Sequence, residues 1–336
     1  MSTCFAWGIG VASYSRSGTM LDVFFPKPVL HPDAALSAVL RQSPGSGVQK
    51  IDAAVLSALL PSLPETIAAQ LRPLTESRSP LVSVLLQNDT AIGHTAEAYL
   101  KLHLLSHRLI EPNGQDLNGI FAHLPTVAWT NRGPILAEEL AGEILEARLR
   151  GEHLEVQSVD KFPRMVNYVI PAGVRIADAS RVRLGAYLGD GTTVMHEGQV
   201  NFNSGTRGPN MVEGRISQGV IMDSGTDLGG GASTMGTLSG GGTIRVSLGK
   251  NCLVGANAGT GIPLGDRCTI EAGLYITAST PVTVIDENGE LIKRVKAREL
   301  AGGSDMLFVR NGMNGQVQCR TNRHAIALNE ALHANN

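Results

Sequence analysis

The sequence predicts a solenoid of short strands, joined to an N-terminal domain that is mainly helical with some strand and to a small C-terminal cap. The main observation is a period of six: branched aliphatic residues return at every sixth position of VIPAGVRIADASRVRLGAYLGDGTTVM. Helices repeat near 3.6 residues and strands near 2.0, so neither element alone produces this period. Glycine supports the prediction, because much of the total of 39 lies in this region, as expected where the chain turns often.

Residues 1–160 are predicted to form the N-terminal domain. Two segments carry apolar residues at helical spacing, namely Leu102, Leu105 and Leu109 in TAEAYLKLHLLSHRLI, and Leu136, Leu140 and Ile144 in ILAEELAGEILEARLRG. His103 and His107 have the spacing of a metal-binding pair on a helix. Since no third ligand is apparent, we expect both to be ordinary packed or solvated histidines.

Residues 161–282 carry the repeat and are predicted to form the solenoid domain. Three units of strand and corner would make one triangular coil, with the aliphatic side chains inside. Stacked coils would then satisfy each other's backbone hydrogen bonds. In particular, Ile170, Ile176 and Val182 should point towards a shared axis. The repeat positions are Ile170, Ile176, Val182, Leu188, Val194 and Val200; then Ile216, Met222 and Leu228; then, after the glycine-rich STMGTLSGGGT, Val246, Cys252, Ala258, Leu264, Ile270, Ile276 and Val282.

Residues 283–336 leave the repeat and are predicted to close the end of the solenoid. In TVIDENGELIKRVKAREL, an Asn-Gly pair lies between two β-like runs, which is a strong hairpin signal. The final TNRHAIALNEALHANN has the pattern of a short helix. A cap is expected because an open coil exposes the unpaired edges of its strands.

Composition disfavours several classes of protein. The net charge of −2 does not suggest a nucleic-acid-binding surface. No apolar run approaches the roughly 18 residues that suggest a membrane span, and the first residues lack the basic region of a secretory signal. Four cysteines without Cys-x-x-Cys spacing predict a reduced, cytoplasmic protein. We therefore expect no nucleic-acid partner and no membrane partner.

Several long motifs, in order along the chain, resemble the tetrahydrodipicolinate N-succinyltransferases, a family of hexapeptide-repeat acyltransferases. They are VMHEGxVNFN, MVEGRIS, DLGGGASTMGTLSGGG, GANAGxGIPLGDRC and EAGLYIT, with AYLKLHLLSHRL and AWTNRGP before them and LNEALHA at the end. The resemblance implies a left-handed parallel β-helix and a homotrimer with active sites between neighbouring coils. It implies succinyl transfer from succinyl-CoA, a co-substrate, to the amine of L-2-amino-6-oxopimelate, on the route to diaminopimelate and lysine. No covalently bound cofactor is expected.

By this resemblance, Glu213 in MVEGRIS matches the catalytic glutamate. Transfer of an acyl group from a thioester to an amine needs a neutral amine, a base for its proton and donors for the oxyanion. Two roles stay open for Glu213: it forms an acyl anhydride, or it acts as base or orienting group while the amine attacks directly. Direct attack is favoured at least equally, because a free carboxylate is a weak nucleophile towards a thioester.

Arg215 would share the face of Glu213 on a strand, and its planar guanidinium suits the free carboxylate of a succinyl group. Glycine has no Cβ, so the run of three at 229–231 would let the main chain approach a thin pantetheine arm or an oxyanion. The resemblance assigns contacts with succinyl-CoA to Arg215, Gly230, Ser233, Gly236, Ala256, Glu271, Ala272, Ser279, Lys296, Val309, Arg310, Asn311 and Gly312.

The chain departs from the family pattern at several of these positions. Val309 and Gly312 stand where the family has arginine and serine, and Ser279 stands where it has glycine. Two further differences are the glutamines at 199 and 218. These changes leave open a specialised paralogue, or another hexapeptide acyltransferase with a different donor or acceptor, such as acetyl-CoA in secondary metabolism.

Glu197, in the MHEG motif, corresponds to a family glutamate that meets its two symmetry mates at the trimer axis and holds Mg²⁺. Three converging carboxylates would repel one another without a cation. His196 beside it is a candidate base by residue type only. A zinc hydratase on the same coils is disfavoured because it needs three histidines and the repeat contains only His196. A non-catalytic scaffold would have no need of Glu213, Arg215 or the glycine-rich insert.

Overall fold

The computed structural model describes residues 4–238 and 243–321. Backbone contacts divide the chain into two compact units, one of Met1–Ile110 and Gly114–Pro163 and the other of Glu111–Asn113 and Arg164–Asn336. The division into three domains remains a prediction, since the cap and the solenoid fall in one unit here. Among the helices of the described residues, none combines the length and the apolar character needed to cross a bilayer.

The first unit combines helices with two antiparallel sheets. A five-stranded sheet has the order β2-β1-β5-β4, with β3 also paired to β1, and a three-stranded sheet has the order β7-β6-β8. The strands are β1 (Ala6–Tyr14), β2 (Met20–Phe24), β3 (Val29–Leu30), β4 (Gly47–Ile51), β5 (Leu81–Leu86), β6 (Val127–Thr130), β7 (Gly133–Leu136) and β8 (Val156–Asp160). The helices are α1 (Ala34–Gln42), α2 (Ala53–Leu59), α3 (Glu65–Leu71), α4 (Thr95–Ser106), α5 (Ile120–His123) and α6 (Leu140–Leu149).

The strands of this unit are more extensive than the sequence suggested. Every residue of β5 is buried and all but Ser83 are aliphatic, so its sequence lacks the alternation that marks a half-exposed strand. Two positions of the predicted helical stripes were also wrong. Leu109 lies beyond the end of α4 and is 42% exposed, and Leu136 is the last residue of β7.

His103 is a packed core histidine, as expected. It is fully buried on α4, where its Nε2 accepts a hydrogen bond from the Phe25 N–H at 3.2 Å and its Nδ1 lies 2.7 Å from the Tyr99 carbonyl oxygen. Burial lowers the pKa of His103 to about 3 and the pKa of its stacked neighbour His107 to about 4. Since the backbone engages both ring nitrogens of His103, this side chain has no nitrogen left for a metal.

The second unit contains a parallel β-helix with three sheets, which we number I, II and III. Sheet I has the order β10-β13-β16-β19, sheet II begins β9-β11-β14-β17-β20-β22, and sheet III has the order β12-β15-β18-β21-β23. The strands are β9 (Arg175–Ile176), β10 (Ala186–Leu188), β11 (Thr192–Val194), β12 (Gln199–Val200), β13 (Ser204–Thr206), β14 (Asn210–Val212), β15 (Arg215–Ile216), β16 (Ile221–Met222), β17 (Asp227–Leu228), β18 (Ser233–Thr234), β19 (Ser247–Leu248), β20 (Leu253–Val254), β21 (Gly259–Thr260), β22 (Thr269–Ile270) and β23 (Tyr275–Ile276).

The six-residue period is confirmed from Val182 to Leu228, with one shortened corner. Val194, Val212 and Leu228 are paired in sheet II and are fully buried, so successive coils stack their aliphatic side chains inside the prism. The corner between Val212 and Ile216 has two residues, where the corners before and after it in the same row have four. Ile216 still pairs with Val200 one coil earlier. This shortened corner contains Glu213, and it explains why the repeat seemed irregular there.

The residues of the last block of the repeat belong to two different rows of buried positions. Leu264, Ile270 and Ile276 occupy the inward positions of the three sheets. The three earlier residues of the block are equally buried, but each lies two positions before the inward residue that pairs with the preceding coil. They are Val246, Cys252 and Ala258. The change of row follows a second shortened corner, since Thr260 and Leu264 are both inward but only four positions apart.

The expectation that Ile170 points to the shared axis is wrong. Ile170 is 72% exposed and precedes β9, the first strand of sheet II. Ile176 is half-buried and pairs with Val194, and Val182 is fully buried and pairs with Val200. The physical reason is that Ile170 lies ahead of the first complete coil, where no neighbouring coil covers it. The solenoid therefore begins one unit later than the sequence suggested.

The predicted hairpin of the cap is confirmed. It consists of β24 (Pro281–Ile285) and β25 (Leu291–Lys296), which are antiparallel and joined through Gly289 at a φ of 84°. Two further strands follow, β26 (Met306–Arg310) and β27 (Val317–Thr321). Since β26 pairs in parallel with β22, it extends sheet II past the last coil. The predicted C-terminal helix falls almost entirely in residues 322–336, outside the described residues.

Candidate active site

One edge of the solenoid, where the chain passes from sheet II to sheet III, brings many of the predicted site residues together. We call it the II–III corner; in successive coils it consists of residues 195–198, 213–214, 229–232, 255–258 and 271–274. It contains Glu197, Glu213, Gly230, Ala256, Glu271 and Ala272. Positions far apart in sequence thus form one line of neighbours, because each coil adds its corner directly beside the previous one.

Two carboxylates converge over Gly230 at this corner. A Cβ atom on Gly230 would lie 3.6 Å from Glu197 Oε2 and 3.7 Å from Glu213 Oε2. The main chain of Glu213 is fixed on both sides, since its N–H donates to the Leu228 carbonyl at 2.9 Å and its carbonyl accepts from the Gly231 N–H at 3.3 Å. Glu213 is half-buried and Glu197 is exposed. The structure therefore holds a partly covered carboxylate next to open main chain, which suits a base acting on a bound substrate.

Gly214 makes the shortened corner between Glu213 and Arg215 sterically feasible. Its carbonyl accepts from the Gln199 N–H at 2.9 Å, and the Arg215 N–H donates to the Ala232 carbonyl at 2.8 Å. A Cβ on Gly214 would come within 2.4 Å of the Ala232 carbonyl oxygen, which is backbone and cannot rotate away. Gly214 therefore sets the spacing between Glu213 and Arg215.

Substituting Gly214 with alanine is expected to lower the free energy of unfolding by about 1–3 kcal/mol, because the extra methyl group overpacks the corner. The displacement of Glu213 and Arg215 should also reduce kcat/KM at least tenfold. Thermal unfolding and steady-state kinetics measure the two effects. Gly142→Ala is the matched control, since a Cβ there meets nothing within 4 Å on helix α6. Wild-type stability and activity in Gly214→Ala would contradict the role given to this corner.

Arg215 and Ser233 lie side by side on the outer face of sheet III. They are directly paired between β15 and β18, and the residues that follow them, Ile216 and Thr234, are buried inside the prism. Because strand residues alternate between faces, both side chains point outwards next to the II–III corner. A guanidinium and a hydroxyl thus stand on the same face, one residue beyond the corner that carries Glu213.

Glu271 connects the corner to the VRNG segment of the cap. Its Oε2 accepts a hydrogen bond from the Arg310 backbone N–H at 2.7 Å, and its own N–H donates to the Phe308 carbonyl at 3.0 Å. Val309, Arg310, Asn311 and Gly312 therefore continue the II–III corner beyond the last coil. At least part of the role of Glu271 is to hold this backbone.

The remaining candidates lie on the far side of sheet III. Gly236 follows β18, and its carbonyl accepts from the Val246 N–H at 3.2 Å. Ser279 follows β23 and is exposed, and Lys296 ends β25, paired with Pro281. The predicted donor contacts thus lie in three places: at the II–III corner, on the outer face of sheet III with Arg215 and Ser233, and beyond the far edge of that sheet. His196 is exposed beside Glu197.

Arg181 is a site residue that the sequence motifs missed. Its Nη2 donates to the Glu197 carbonyl at 2.8 Å and its Nε donates to the Gly198 carbonyl at 3.1 Å, so it fixes the main chain that presents Glu197. No motif marks it. Only a count of one coil back from Gln199 could have placed it beside this corner.

Two other features of the described residues bear on ligands. A cavity of about 360 Å³ lies in the cap, and it contains none of the candidate residues; it is lined by Thr280, Pro281, Val282, Thr283, Arg294, Val295, Gly315, Gln316 and Val317. In the part of the chain that the structure describes, no group of three or more His, Cys, Asp or Glu residues is arranged to hold a metal ion.

Comparison with known proteins agrees with this architecture. Residues 124–164 match the family described as "Tetrahydrodipicolinate N-succinyltransferase middle", and residues 245–278 match "Hexapeptide repeat of succinyl-transferase". A relative from Pseudomonas putida named 2,3,4,5-tetrahydropyridine-2,6-dicarboxylate N-succinyltransferase is 59% identical, over 100% of this chain and 99% of the relative. One of the same name from Vibrio cholerae is 53% identical over 99% of both chains.

A solved structure is also similar. It is described as a putative 2,3,4,5-tetrahydropyridine-2-carboxylate N-succinyltransferase from Campylobacter jejuni, and it superimposes with a TM-score of 0.88 at 30% identity. The match covers 97% of this chain and 94% of that one. With relatives of 53% and 59% identity along their full length, the chain belongs to the 2,3,4,5-tetrahydropyridine-2,6-dicarboxylate N-succinyltransferase family.

Proposed function

We propose that this protein transfers a succinyl group from succinyl-CoA to the amine of L-2-amino-6-oxopimelate, the open form of tetrahydrodipicolinate, in the synthesis of diaminopimelate and lysine. The observation that carries the proposal is the placement of Glu213 beside Arg215 and Ser233 around one shortened corner. It occurs in a chain whose relatives, at 53% and 59% identity, are named after this reaction.

In the proposed reaction the amine attacks the thioester carbonyl directly. Glu213 accepts a proton from the nitrogen as the C–N bond forms, the C–S bond then breaks, and the CoA sulfur leaves as a thiolate that is protonated to the thiol. A carboxylate held by its main chain on both sides suits this task, because it is positioned before the substrates arrive. The alternative, an acyl anhydride on Glu213, would use the same residue as nucleophile.

Arg215 gives the site its preference for a succinyl group. Its exposed guanidinium stands next to Ser233, so a donor lying on this face would present its terminal carboxylate to two charged or polar groups. An acetyl group has no carboxylate and gains nothing from Arg215. The departures at Val309, Gly312 and Ser279 are exposed or half-buried positions of the cap and last coil, away from this acyl end. We expect these departures to alter the binding of the rest of CoA more than the choice of acyl group.

We further propose that the β-helix is left-handed and that three chains assemble, as the family resemblance implies. The hexapeptide match and the similar solved structure support this assembly. Glu197 suits Mg²⁺ by type, since a carboxylate oxygen is a ligand that this ion prefers. By the family resemblance, Glu197 would meet its two symmetry mates at the trimer axis, so a metal site there would need all three copies. No chemical step depends on it. A cytoplasmic location is proposed from the four free cysteines, all of them buried.

A spectroscopic assay of thiol release tests the proposal. Succinyl-CoA and acetyl-CoA are each supplied with and without L-2-amino-6-oxopimelate. We expect rapid release of CoA from succinyl-CoA that depends on the acceptor, with acetyl-CoA at least tenfold slower in kcat/KM. Turnover of acetyl-CoA with none of succinyl-CoA would replace the proposal by the second candidate, a hexapeptide acyltransferase with a different donor.

A further inference from the structure

The outer face of sheet III carries an aromatic side chain that the motifs did not assign. Strand pairing places Gln199, Arg215, Ser233, Gly259 and Tyr275 in one column, one residue from each coil. The next residue in each strand is buried inside the prism, so all five members of the column face outwards. Tyr275 therefore stands two coils from Ser233 on the same surface.

The ring of Tyr275 lies over Gly259. A Cβ atom on Gly259 would fall 2.3 Å from Tyr275 Cε2, 2.6 Å from Cδ2 and 2.7 Å from Cζ, so the ring occupies the space that a side chain there would fill. The side chain thus leans from its own coil towards Ser233. Tyr275 is 39% exposed, which leaves much of the ring open on the outer face. The absence of a side chain at Gly259 leaves room for the Tyr275 ring, and the ring covers the Gly259 main chain.

The column has a polar end and an aromatic end. Arg215 and Ser233 stand at the II–III corner with Glu213, where the acyl group must react. Tyr275 stands in the last coil, in strand β23. The cap supplies a cation beyond each end of this strand: Arg310 is held to Glu271, before the strand, and Lys296 pairs with Pro281, after it. CoA has the same order of chemistry: a reactive acyl end, a thin and largely apolar pantetheine arm, and an anionic nucleotide. A donor with its acyl group at Arg215 and its phosphates near the cap cations would pass over Gly259 and Tyr275.

We infer that Tyr275 forms a wall of the acyl-donor groove and contacts the pantetheine arm of CoA. The inference rests on the proposed function, since it takes CoA to be the donor. An aromatic ring offers a large, rigid apolar surface with little conformational freedom to lose, so it suits an alkyl chain that carries few polar groups. Tyr275 is a binding residue in this account and takes no part in the chemical step.

Binding of CoA to the full-length protein, measured by isothermal titration calorimetry without acceptor, tests the inference. Tyr275→Ala is expected to weaken CoA about tenfold through loss of the apolar wall. Tyr275→Phe keeps the ring and should stay within about threefold of wild type. Gly259→Ala keeps Tyr275 but places a methyl group where the ring lies, so it should weaken CoA about threefold. The φ of Gly259 is not in the left-handed region, so alanine is compatible with its backbone.

The double variant gives the sharpest outcome. Once Tyr275 is alanine, the methyl group of Gly259→Ala displaces nothing, so the double variant should bind CoA as Tyr275→Ala does. Independent losses that simply add, or wild-type affinity in Tyr275→Ala, would overturn the inference. Light scattering shows whether a variant has changed its assembly. If Tyr275→Ala has done so, the affinities of Gly259→Ala and Tyr275→Phe for CoA test the inference in its place. If the wild-type protein itself does not bind CoA, the proposed function fails instead, which separates the two results.

Discussion

Replacing Glu213 with glutamine is expected to lower kcat for succinyl transfer about 10³-fold, while the dissociation constant for CoA stays within a few-fold of wild type. Glutamine keeps the size and most hydrogen-bonding capacity of the side chain but cannot take a proton from the attacking amine. The backbone bonds that fix residue 213 do not involve its side chain, so the corner should keep its shape. Steady-state and single-turnover kinetics with succinyl-CoA measure the loss.

The second carboxylate over Gly230 provides the comparison. Glu197→Gln removes a charge at nearly the same distance from Gly230 as Glu213, so a purely electrostatic contribution would give similar losses in the two variants. A general base or nucleophile at Glu213 predicts a loss in kcat that is at least tenfold larger there. Equal losses, or a Glu213→Gln protein with normal turnover, would show that the proton acceptor lies elsewhere.

Replacing Arg215 with methionine is expected to reduce kcat/KM for succinyl-CoA by about 10- to 100-fold and to change kcat/KM for acetyl-CoA less than threefold. The range corresponds to the loss of one charge-assisted hydrogen-bonded contact with the succinyl carboxylate. Methionine keeps the apolar stem, and Arg215 lies on the exposed face of a two-residue strand, so folding should be preserved. Competition between the two donors in one assay measures the ratio directly.

Arg215→Lys is the matched control, because it keeps the positive charge and removes the planar guanidinium. A lysine ammonium keeps the positive charge but cannot make a planar, bidentate contact, so its donor preference should lie between those of wild type and the methionine variant. A methionine variant that slows both donors by the same factor would mean that Arg215 supports the site without recognising the succinyl group.

Much of the solenoid could be predicted from sequence because its physical requirement is local. Each coil must fill a narrow interior, so positions such as Val194 and Leu228 must be apolar, and their spacing is visible without knowledge of the rest of the chain. The errors arose at the start of the solenoid and where the spacing changed. Ile170 keeps the period but precedes the first coil, and the shortened corner at Glu213 moved the register by two residues.

Only part of the candidate active site could be predicted from the sequence. Motif resemblance supplied Glu213 and Glu197, but their convergence over Gly230 depends on how corners of unequal coils stack. The bond from the Arg310 N–H joins the cap to Glu271 of the last coil, and the ring of Tyr275 over Gly259 joins two successive coils. Such contacts follow from the register of the sheets, which a single sequence does not display. The strands of the N-terminal unit were underestimated for a simpler reason, because a fully buried strand such as β5 has no alternation.

The central claim is that the acyl donor lies along the outer face of sheet III with its thioester at the II–III corner, and a crystal structure of the full-length protein with bound CoA tests it most directly. We expect the sulfur to lie next to Glu213, the pantetheine arm to pass Ser233 and Tyr275, and the nucleotide to reach the cap. A CoA molecule seated in the cap cavity between Thr280 and Val317, with its sulfur remote from Glu213 and Arg215, would contradict it.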